Sequence, residues 1–312
     1  MNFLFIIIII IIIFFIMCIL FRNYKQTFNN NVSLHIGNEL SSYFYNLGQS
    51  IINQEDFKYK KYDDIFFNNL PSYIKINDYS EWNDVYNNFK NNDITPQYFI
   101  DYSYKEASWE CTNKIKETYN KCMKPIINKI LNDTFIKSKL VKTVDSIIIH
   151  FRCADTPFVK HEGYHFQKYN YFKDALDEIN KTINNKKIII LYNNTHLSNK
   201  NNMNACDIYV NSLKKYIIDL GYNVSIESYS NIDDFAMMFY APAVISTHSS
   251  FSFMSGFFGM GIFISSGHFY ERDNDIIKCD NCDNWLYKGY DLYHKDVKDY
   301  NDTNSIINQL KN

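Results

Sequence analysis

The chain of 312 residues and 37.1 kDa is long enough for two ordinary domains. Its formal net charge of −2 gives a nucleic-acid partner no global electrostatic support, so we expect no nucleic-acid binding. Seven cysteines in a chain of this length do not indicate a disulfide framework.

The first residues predict a membrane anchor. Phe3–Phe21 is an uninterrupted apolar stretch that contains eight consecutive isoleucines, and no small-residue cleavage site follows it. We therefore expect residues 1–25 to hold a single-pass signal anchor and the start of a stem, with a cleaved signal peptide as the alternative. The basic residues Arg22 and Lys25 follow the span, so the positive-inside rule alone would leave the rest of the chain in the cytosol.

The segment after the anchor predicts a mixed, helix-rich region. Val32–Ile36 alternates like a strand, Gly37-Asn38-Glu39 predicts a tight turn, and apolar residues from Leu40 to Ile52 recur at helical spacing. Such a turn brings backbone close to a phosphate or sugar. Further helices are expected between residues 105 and 140, with an interruption near Pro125.

From residue 144 onward, strand-like and helix-like segments alternate with short turns. This alternation predicts a parallel sheet with helices on both faces. The predicted strands are Val144–Phe151, Lys187–Tyr192, Val224–Glu227, Ala243–Thr247 and Ile262–Ser265. The predicted helices are Gln167–Ile183, Ala205–Leu220, Asp233–Tyr240, Ser252–Met260 and a closing helix at Ser305–Leu310.

Polar side chains follow the first predicted strand of this sheet. His150, Arg152 and Asp155 come at the end of an isoleucine-rich run, which is the edge where open α/β sheets bind ligands. An arginine there pairs with a carboxylate if its role is structural, or with a phosphate if it binds a ligand. A salt bridge from Arg152 to Asp155 is therefore the structural alternative.

Two later stretches also carry polar groups. Asp233 and Asp234 open a predicted helix, where carboxylates are favoured by the helix dipole, so capping explains both without a ligand. The segment Ser246–Ser252 holds five hydroxyl groups and His248 at a strand-to-helix turn. N-capping accounts for one serine, whereas a donor-rich turn of this kind suits an anion.

Together, Gly37-Asn38-Glu39, the H-x-R-x-x-D segment at residues 150–155 and the S-S-F-S segment at residues 249–252 resemble the motifs of the fucosyltransferases of the α1,2/α1,6/protein-O type. The resemblance covers about residues 32 to 265. It implies an α/β fold of the GT-B type, in which two Rossmann-like domains face a cleft after the N-terminal transmembrane helix. The implied divisions are an acceptor-side domain at 32–143, a nucleotide-sugar-binding domain at 144–275 and a tail at 276–312.

The resemblance also implies a role for each matching residue. Arg152 would hold the β-phosphate of the donor GDP-fucose, with His150 beside it and Asp155 fixing the loop, and Asp234 would read the guanine edge. Phosphate donors would come from the hydroxyl-rich turn, and Gly37 and Asn38 would line the sugar and acceptor side. The implied nucleotide-sugar-binding residues are Gly37, Asn38, His150, Arg152, Asp155, Asp234, His248, Ser249, Ser250 and Ser252.

Inversion at the transferred sugar calls for a base near the acceptor hydroxyl, with His161, Glu162 and Glu39 as candidates beside the catalytic Arg152. The implied enzyme needs neither metal nor cofactor. Its partners are a nucleotide sugar and a glycan or glycoprotein acceptor. The resemblance also implies that the enzyme faces a Golgi- or ER-type lumen. This orientation conflicts with the positive-inside rule, so the orientation stays open.

The chain departs from the family pattern at two informative positions. Glu39 replaces the usual glutamine, and Cys153 stands where a second arginine is often found, so another nucleotide sugar remains an alternative donor. The other readings are a non-catalytic GT-B-shaped binding protein and a metal-dependent glycosyltransferase that uses Asp273 and Asp275.

Two further patterns bear on the compartment. Cys279 and Cys282 have metal or redox spacing without a second pair, so a local disulfide or two free thiols are the alternatives. Glycosylation sequons permit a luminal location, among them those that begin at Asn31, Asn132, Asn193, Asn223 and Asn301.

Overall fold

The structure is a computed structural model that describes residues 36–60, 65–76, 82–83, 86–87, 90, 124–153, 158, 165–193, 200–247, 249–265, 291–293 and 302–311. The predicted anchor at residues 1–25 and the Cys279–Cys282 pair lie outside these ranges. Within them, no helix combines the length and the apolar character needed to cross a membrane.

The described strands are β1 (Phe57–Lys58), β2 (Tyr73–Ile74), β3 (Ile147–His150), β4 (His165–Gln167), β5 (Lys187–Leu191), β6 (Asn223–Glu227), β7 (Ala243–Ser246), β8 (Ile262–Ser265) and β9 (Asp291–Tyr293). The described helices are α1 (Ile36–Asn53), α2 (Ile65–Asn69), α3 (Lys124–Ser138), α4 (Tyr169–Asn180), α5 (Lys200–Asp219), α6 (Asn231–Tyr240), α7 (Ser250–Ser252) and α8 (Thr303–Lys311). A π-helical turn at Phe253–Phe257 continues α7.

A five-stranded parallel sheet forms the centre, in the order β6-β5-β3-β7-β8. The prediction of a parallel α/β sheet after residue 144 is thus confirmed, and each predicted strand is present. Three consecutive isoleucines of β3, Ile147 to Ile149, are all 0% exposed. Burial of successive residues requires cover on both faces of the sheet, which explains why the strand is a continuous apolar run rather than an alternating one.

Different helices cover the two faces. Ile147 and Ile149 pack into a core with residues of α4, α5 and α8. The opposite face carries Val244 of β7 and Phe263 of β8, whose side chains lie against Gly256 in the π-helical turn. Helix α6 contacts the same turn, so it lies on this second side.

The order of the strands shows where the chain changes direction. It moves outward from β3 to β5 and β6, returns through α6, and places β7 on the other side of β3 before reaching β8. This is the pattern of a doubly wound sheet, and β3 and β7 are the pair between which the winding reverses. We call the gap between the carboxyl ends of β3 and β7 the reversal point.

Helices from the first half of the chain pack on the second side of the sheet. Helix α1 contacts α7 and the π-helical turn. On α3, the Asn128 side chain donates a hydrogen bond to the Phe258 carbonyl at 2.8 Å, and the Phe135 ring lies 4.9 Å from that of Phe239. Strands β1 and β2 form a separate antiparallel pair.

One local prediction needs correction. The predicted glycine turn is wrong, because α1 already begins at Ile36 and places Gly37, Asn38 and Glu39 in its first turn. The rest of the predicted strand, residues 32–35, lies outside the described residues. The predicted interruption near Pro125 can be compared with the structure only from residue 124 onward, where α3 begins and places Pro125 in its first turn. There the missing N–H of proline costs no intrahelical hydrogen bond.

Candidate functional site

The candidate site is the reversal point. His150, the last residue of β3, lies beside Ser246, the last residue of β7. The connections that leave these two strands lead to opposite sides of β3, and in doubly wound sheets a ligand-binding crevice opens between such connections. The residues that follow the two strands, Arg152 and Thr247, therefore lie where this architecture binds ligands.

Thr247 fixes the backbone around Arg152. The Arg152 N–H donates to Thr247 Oγ1 at 2.9 Å, and that hydroxyl donates to the His150 carbonyl at 2.7 Å. The Thr247 N–H donates to the same carbonyl at 3.2 Å, and on the other side the Phe151 N–H donates to the Leu191 carbonyl at 3.0 Å. The backbone is thus held to β5 at Phe151 and to the residue after β7 at Arg152, and Arg152 itself is half-buried.

His150 carries an unsatisfied polar atom at this position. Its Nδ1 is buried and has no hydrogen-bond partner among the described residues, and its ring lies 5.6 Å from that of Phe251. Burial, reinforced by the positive charge of Arg152, lowers the pKa of His150 to about 3. The imidazole is therefore neutral at physiological pH, and a ligand group at the reversal point would supply the missing hydrogen bond.

The hydroxyl-rich turn, residues 246–252, uses several hydroxyls internally. Ser246 and Ser252 are buried and hydrogen-bonded to each other at 2.7 Å, and Ser252 also donates to the Ser249 carbonyl at 3.2 Å. Ser249 is buried and accepts from the Phe251 N–H at 3.3 Å. Among the predicted phosphate donors at 249, 250 and 252, Ser250 is the one whose side chain is not buried.

Helix α1 touches this turn directly. The Ser250 hydroxyl donates to Asn38 Oδ1 at 2.9 Å. A Cβ at Gly37 would lie 2.6 Å from the Phe251 nitrogen and 2.7 Å from the Ser250 carbonyl carbon, so only glycine permits this approach. Gly37 and Asn38 are therefore brought beside the hydroxyl-rich turn, by a helix–turn contact rather than by the predicted glycine turn.

Asp234 lies on α6, the helix next to the turn. Its side chain is 7% exposed, and Oδ1 accepts a hydrogen bond from the Tyr229 N–H at 3.1 Å. Burial raises the pKa of Asp234 to about 6, and the charges of Asp233 and Glu227 add to the rise while the Tyr229 hydrogen bond opposes it. The carboxyl group is thus a buried acceptor that is mostly ionised at pH 7 and becomes protonated as the pH falls through about 6.

The neighbouring acid has a different environment. Asp233 bonds to Lys142 at 2.6 Å, and its N–H donates to the N-cap hydroxyl of Ser230 at 3.2 Å. Burial raises the pKa of Asp233, but the hydrogen bonds from Lys142 and Ser230 outweigh burial, and the net shift is downward. The capping interpretation fits Asp233, whereas Asp234 is the acid held in low dielectric.

Several candidate residues fall outside the described ranges and keep their predicted roles. These are Asp155, His161, Glu162, His248, Asp273 and Asp275. Glu39, the remaining base candidate, lies half-buried in the first turn of α1, next to Asn38. In the described part of the chain, no group of three or more histidine, cysteine or acidic side chains is arranged to hold a metal ion.

Two features of the site were not expected from the sequence. Cys153, directly after Arg152, forms a disulfide with Cys206 of α5, a residue 53 positions away. The helix after the hydroxyl-rich turn is π-helical at Phe253–Phe257. Neither has a sequence signal, since the spacing of two distant cysteines does not reveal their pairing and a π turn depends on packing.

Comparison of the chain with protein-family models, with curated proteins and with solved structures gave no match. The function is therefore inferred from the residues at the reversal point.

Proposed function

We propose that the chain is an inverting, metal-independent glycosyltransferase that transfers fucose from GDP-fucose to a hydroxyl group of a glycan or protein. The observation that carries this proposal is the convergence at the reversal point. Arg152 leaves β3 clamped by Thr247, which belongs to the hydroxyl-rich turn, and Asn38 contacts Ser250 of the same turn. Three stretches far apart in the sequence thus contribute to one polar region at the ligand-binding edge of the sheet.

Each group has a chemical task in this proposal. The Arg152 guanidinium forks onto the phosphate oxygens of the donor and offsets the charge that grows on the departing GDP. Neutral His150 supplies its unpaired Nδ1 to the bound nucleotide. The buried carboxyl of Asp234 accepts from the guanine N–H edge, and the half-buried Ser250 hydroxyl turns from Asn38 to donate to a phosphate oxygen.

The transfer is a single displacement at the anomeric carbon of fucose. The acceptor oxygen forms a bond to that carbon while the bond from carbon to the β-phosphate oxygen breaks, and GDP leaves with the electron pair. The acceptor proton passes to a base, for which Glu39, His161 and Glu162 are the candidates. The proposal includes the two-domain GT-B arrangement, in which residues 32–143 bind the acceptor and residues 144–275 bind the donor.

The compartment is part of the same proposal. We assign the folded part to the lumenal side of a single-pass anchor at residues 1–25. The disulfide between Cys153 and Cys206 supports this assignment, since structural disulfides persist in oxidising compartments and are rare in the cytosol.

The proposal is tested by binding of GDP to the full chain, measured by isothermal titration, with release of fucose from GDP-fucose as the second readout. Arg152→Ala should weaken GDP binding by about 10- to 100-fold, because hydrogen bonds to charged groups contribute roughly 1.5–3 kcal/mol. Arg152→Lys should retain part of the affinity, since it keeps the charge and loses the fork.

Lys187→Ala is the matched control for this substitution. It also removes one positive charge, but Lys187 lies at the amino end of β5 and pairs with Asp145 on the surface. GDP affinity that is the same in the wild type and in Arg152→Ala would overturn the proposal. Tight GDP binding without sugar transfer would indicate the non-catalytic binding protein instead.

A further inference from the structure

The three residues that follow β3, Phe151, Arg152 and Cys153, are each bonded to a different part of the fold. The Phe151 N–H bonds to the end of β5 at Leu191, and the Arg152 N–H bonds to Thr247 after β7. Cys153 is bonded covalently to α5. Arg152 is therefore bracketed on its amino side by a hydrogen bond to the sheet and on its carboxyl side by a disulfide.

The disulfide connects the segment after β3, residues 151–153, to a buried face of α5. Cys153 is 1% exposed and Cys206 is 0% exposed, and their Cα atoms are 5.7 Å apart. Cys206 lies on the face of α5 that carries Tyr209, Leu213 and Ile217, all 0% exposed. Movement of the loop relative to α5 would require this packed face to shift, so the disulfide holds position 153 at a fixed place.

Without the disulfide, noncovalent contacts alone would hold this segment. Strand β3 ends at His150, and no strand pairing includes the described residues 151–153. Their noncovalent anchors include the two backbone hydrogen bonds, the burial of Phe151 and Cys153 in the core, and the ring contacts of Phe151 with Phe166 at 5.9 Å and with Tyr192 at 6.2 Å. Each noncovalent contact opens and closes on its own, whereas a covalent bond confines the backbone beyond Arg152 continuously.

We propose that the Cys153–Cys206 disulfide is a positioning element for Arg152, so that the affinity of the reversal point for a nucleoside diphosphate depends on the oxidation state of this pair. The inference rests on the proposed function, in which Arg152 binds the diphosphate. Reduction by a dithiol transfers two electrons and two protons to the pair, giving two thiols while the dithiol closes into its own disulfide. The backbone on the carboxyl side of Arg152 is then held by noncovalent contacts alone, and the guanidinium loses its fixed position against the phosphates.

The proposal separates phosphate binding from base binding. The double variant Cys153→Ser/Cys206→Ser should bind GDP about tenfold or more weakly in isothermal titration of the full chain, equivalent to losing one good charged contact. Guanosine, which has no phosphate, should bind with unchanged affinity. A general structural role of the disulfide would weaken both ligands equally, so an unchanged ratio of GDP to guanosine affinity overturns the proposal.

Leu213→Ala is the control for loss of stability. Leu213 is fully buried on the same helix as Cys206, so its truncation destabilises α5 but leaves the disulfide in place. The ratio of GDP to guanosine affinity should stay at the wild-type value in this variant. Once dithiothreitol has reduced the buried disulfide of the wild type, as verified by the mass of the alkylated cysteine peptides, the wild-type ratio should equal that of the double serine variant. The same treatment should not change the double variant itself.

A second readout does not depend on nucleotide binding. Hydrogen exchange of the Arg152 amide should accelerate in the double serine variant and stay at the wild-type rate in Leu213→Ala. Wild-type protein that binds no GDP would refute the proposed function, and the exchange rate would then decide the positioning role by itself. Slow exchange of Arg152 in the double variant would overturn that role.

Discussion

At the scale of single residues, burial shifts the pKa values of two titratable groups, His150 and Asp234, in opposite directions. His150 is lowered to about 3 and Asp234 is raised to about 6, each chiefly by burial. Burial disfavours the charged form of either group, so it keeps the imidazole neutral and shifts the carboxyl toward its protonated form. In the proposed complex, neutral His150 therefore adds no charge beside Arg152, whereas Asp234, with a pKa of about 6, is mostly ionised at pH 7 and can accept from the guanine N–H edge.

The two shifts predict opposite effects of pH on stability. The folded pKa of His150 lies below its unfolded value of about 6.5, so its contribution is present above pH 6.5 and is lost as the pH falls toward 3. The folded pKa of Asp234 lies above its unfolded value, so its contribution is present below about pH 4 and is lost as the pH rises through 6. Between pH 4 and 6 the two effects oppose each other.

Urea unfolding at a series of pH values measures each contribution separately. On acidification from pH 6.5 to 4.5, His150→Gln should gain stability relative to the wild type, by up to about 1.4 kcal/mol per pH unit. Asp234→Asn should lose stability relative to the wild type over the same range. Parallel pH profiles for all three proteins would contradict the assignment of these shifts to His150 and Asp234.

At the scale of elements, the contact of α1 with the hydroxyl-rich turn depends on one missing side chain. The sequence predicts a turn at Gly37, yet the structure places this glycine in the first turn of α1, where glycine costs at most the roughly 1 kcal/mol relative to alanine that it costs in a helix interior. The glycine is explained by the backbone of Ser250 and Phe251, which lies too close for a Cβ. The requirement comes from packing rather than from a turn.

Gly37→Ala tests this contact. The gain in helix propensity of at most about 1 kcal/mol is opposed by overpacking against backbone atoms, which typically costs about 1–3 kcal/mol, so we expect net destabilisation. The displaced helix should also move Asn38 from Ser250 and weaken GDP binding. Asn46→Ala, an exposed change in the same helix, is the control and should leave GDP affinity unchanged. Wild-type stability and affinity in Gly37→Ala would show that the close approach does not exist in solution.

The strands were predictable from the sequence where the sheet is covered on both faces. The isoleucine run of β3 and its counterparts in β5, β7 and β8 indicated parallel strands, since such strands need apolar residues at every position. The region from residue 54 to 104 gave no assignable pattern. Its described strands β1 and β2 have two residues each and α2 has five, too few to display a period.

At the scale of the whole molecule, the parallel sheet separates the carboxyl ends of its strands from their amino ends. The carboxyl ends of β3 and β7 form the reversal point, whereas the amino ends carry Asn223 at the start of β6. Asn223 is exposed, while Asn132 is partly buried in α3 and accepts a hydrogen bond from the Tyr240 hydroxyl at 2.8 Å. These two sequons therefore differ in access although their sequence patterns are alike.

The proposed lumenal location predicts which of them carries a glycan. In chain produced in a eukaryotic secretory pathway, peptide mapping after endoglycosidase treatment should find Asn223 modified and Asn132 unmodified. Asn223→Gln should remove one glycan from the total mass and leave GDP affinity unchanged, since Asn223 lies at the amino ends of the strands and the proposed GDP site lies at their carboxyl ends. An unmodified Asn223 together with a reduced Cys153–Cys206 pair would point to the cytosol and contradict the location.

The sequence by itself determined the parallel α/β sheet and the polar character of the strand ends, because burial on both faces demands apolar runs and the runs stop at the carboxyl ends of the strands. It also singled out His150, Arg152 and the hydroxyl-rich turn. Only the tertiary structure decided that Gly37 serves a helix contact, that Ser246 and Ser252 satisfy each other, and that Cys153 pairs with Cys206. These features are contacts between residues distant in the chain, and such contacts leave no local period or spacing from which they could be read.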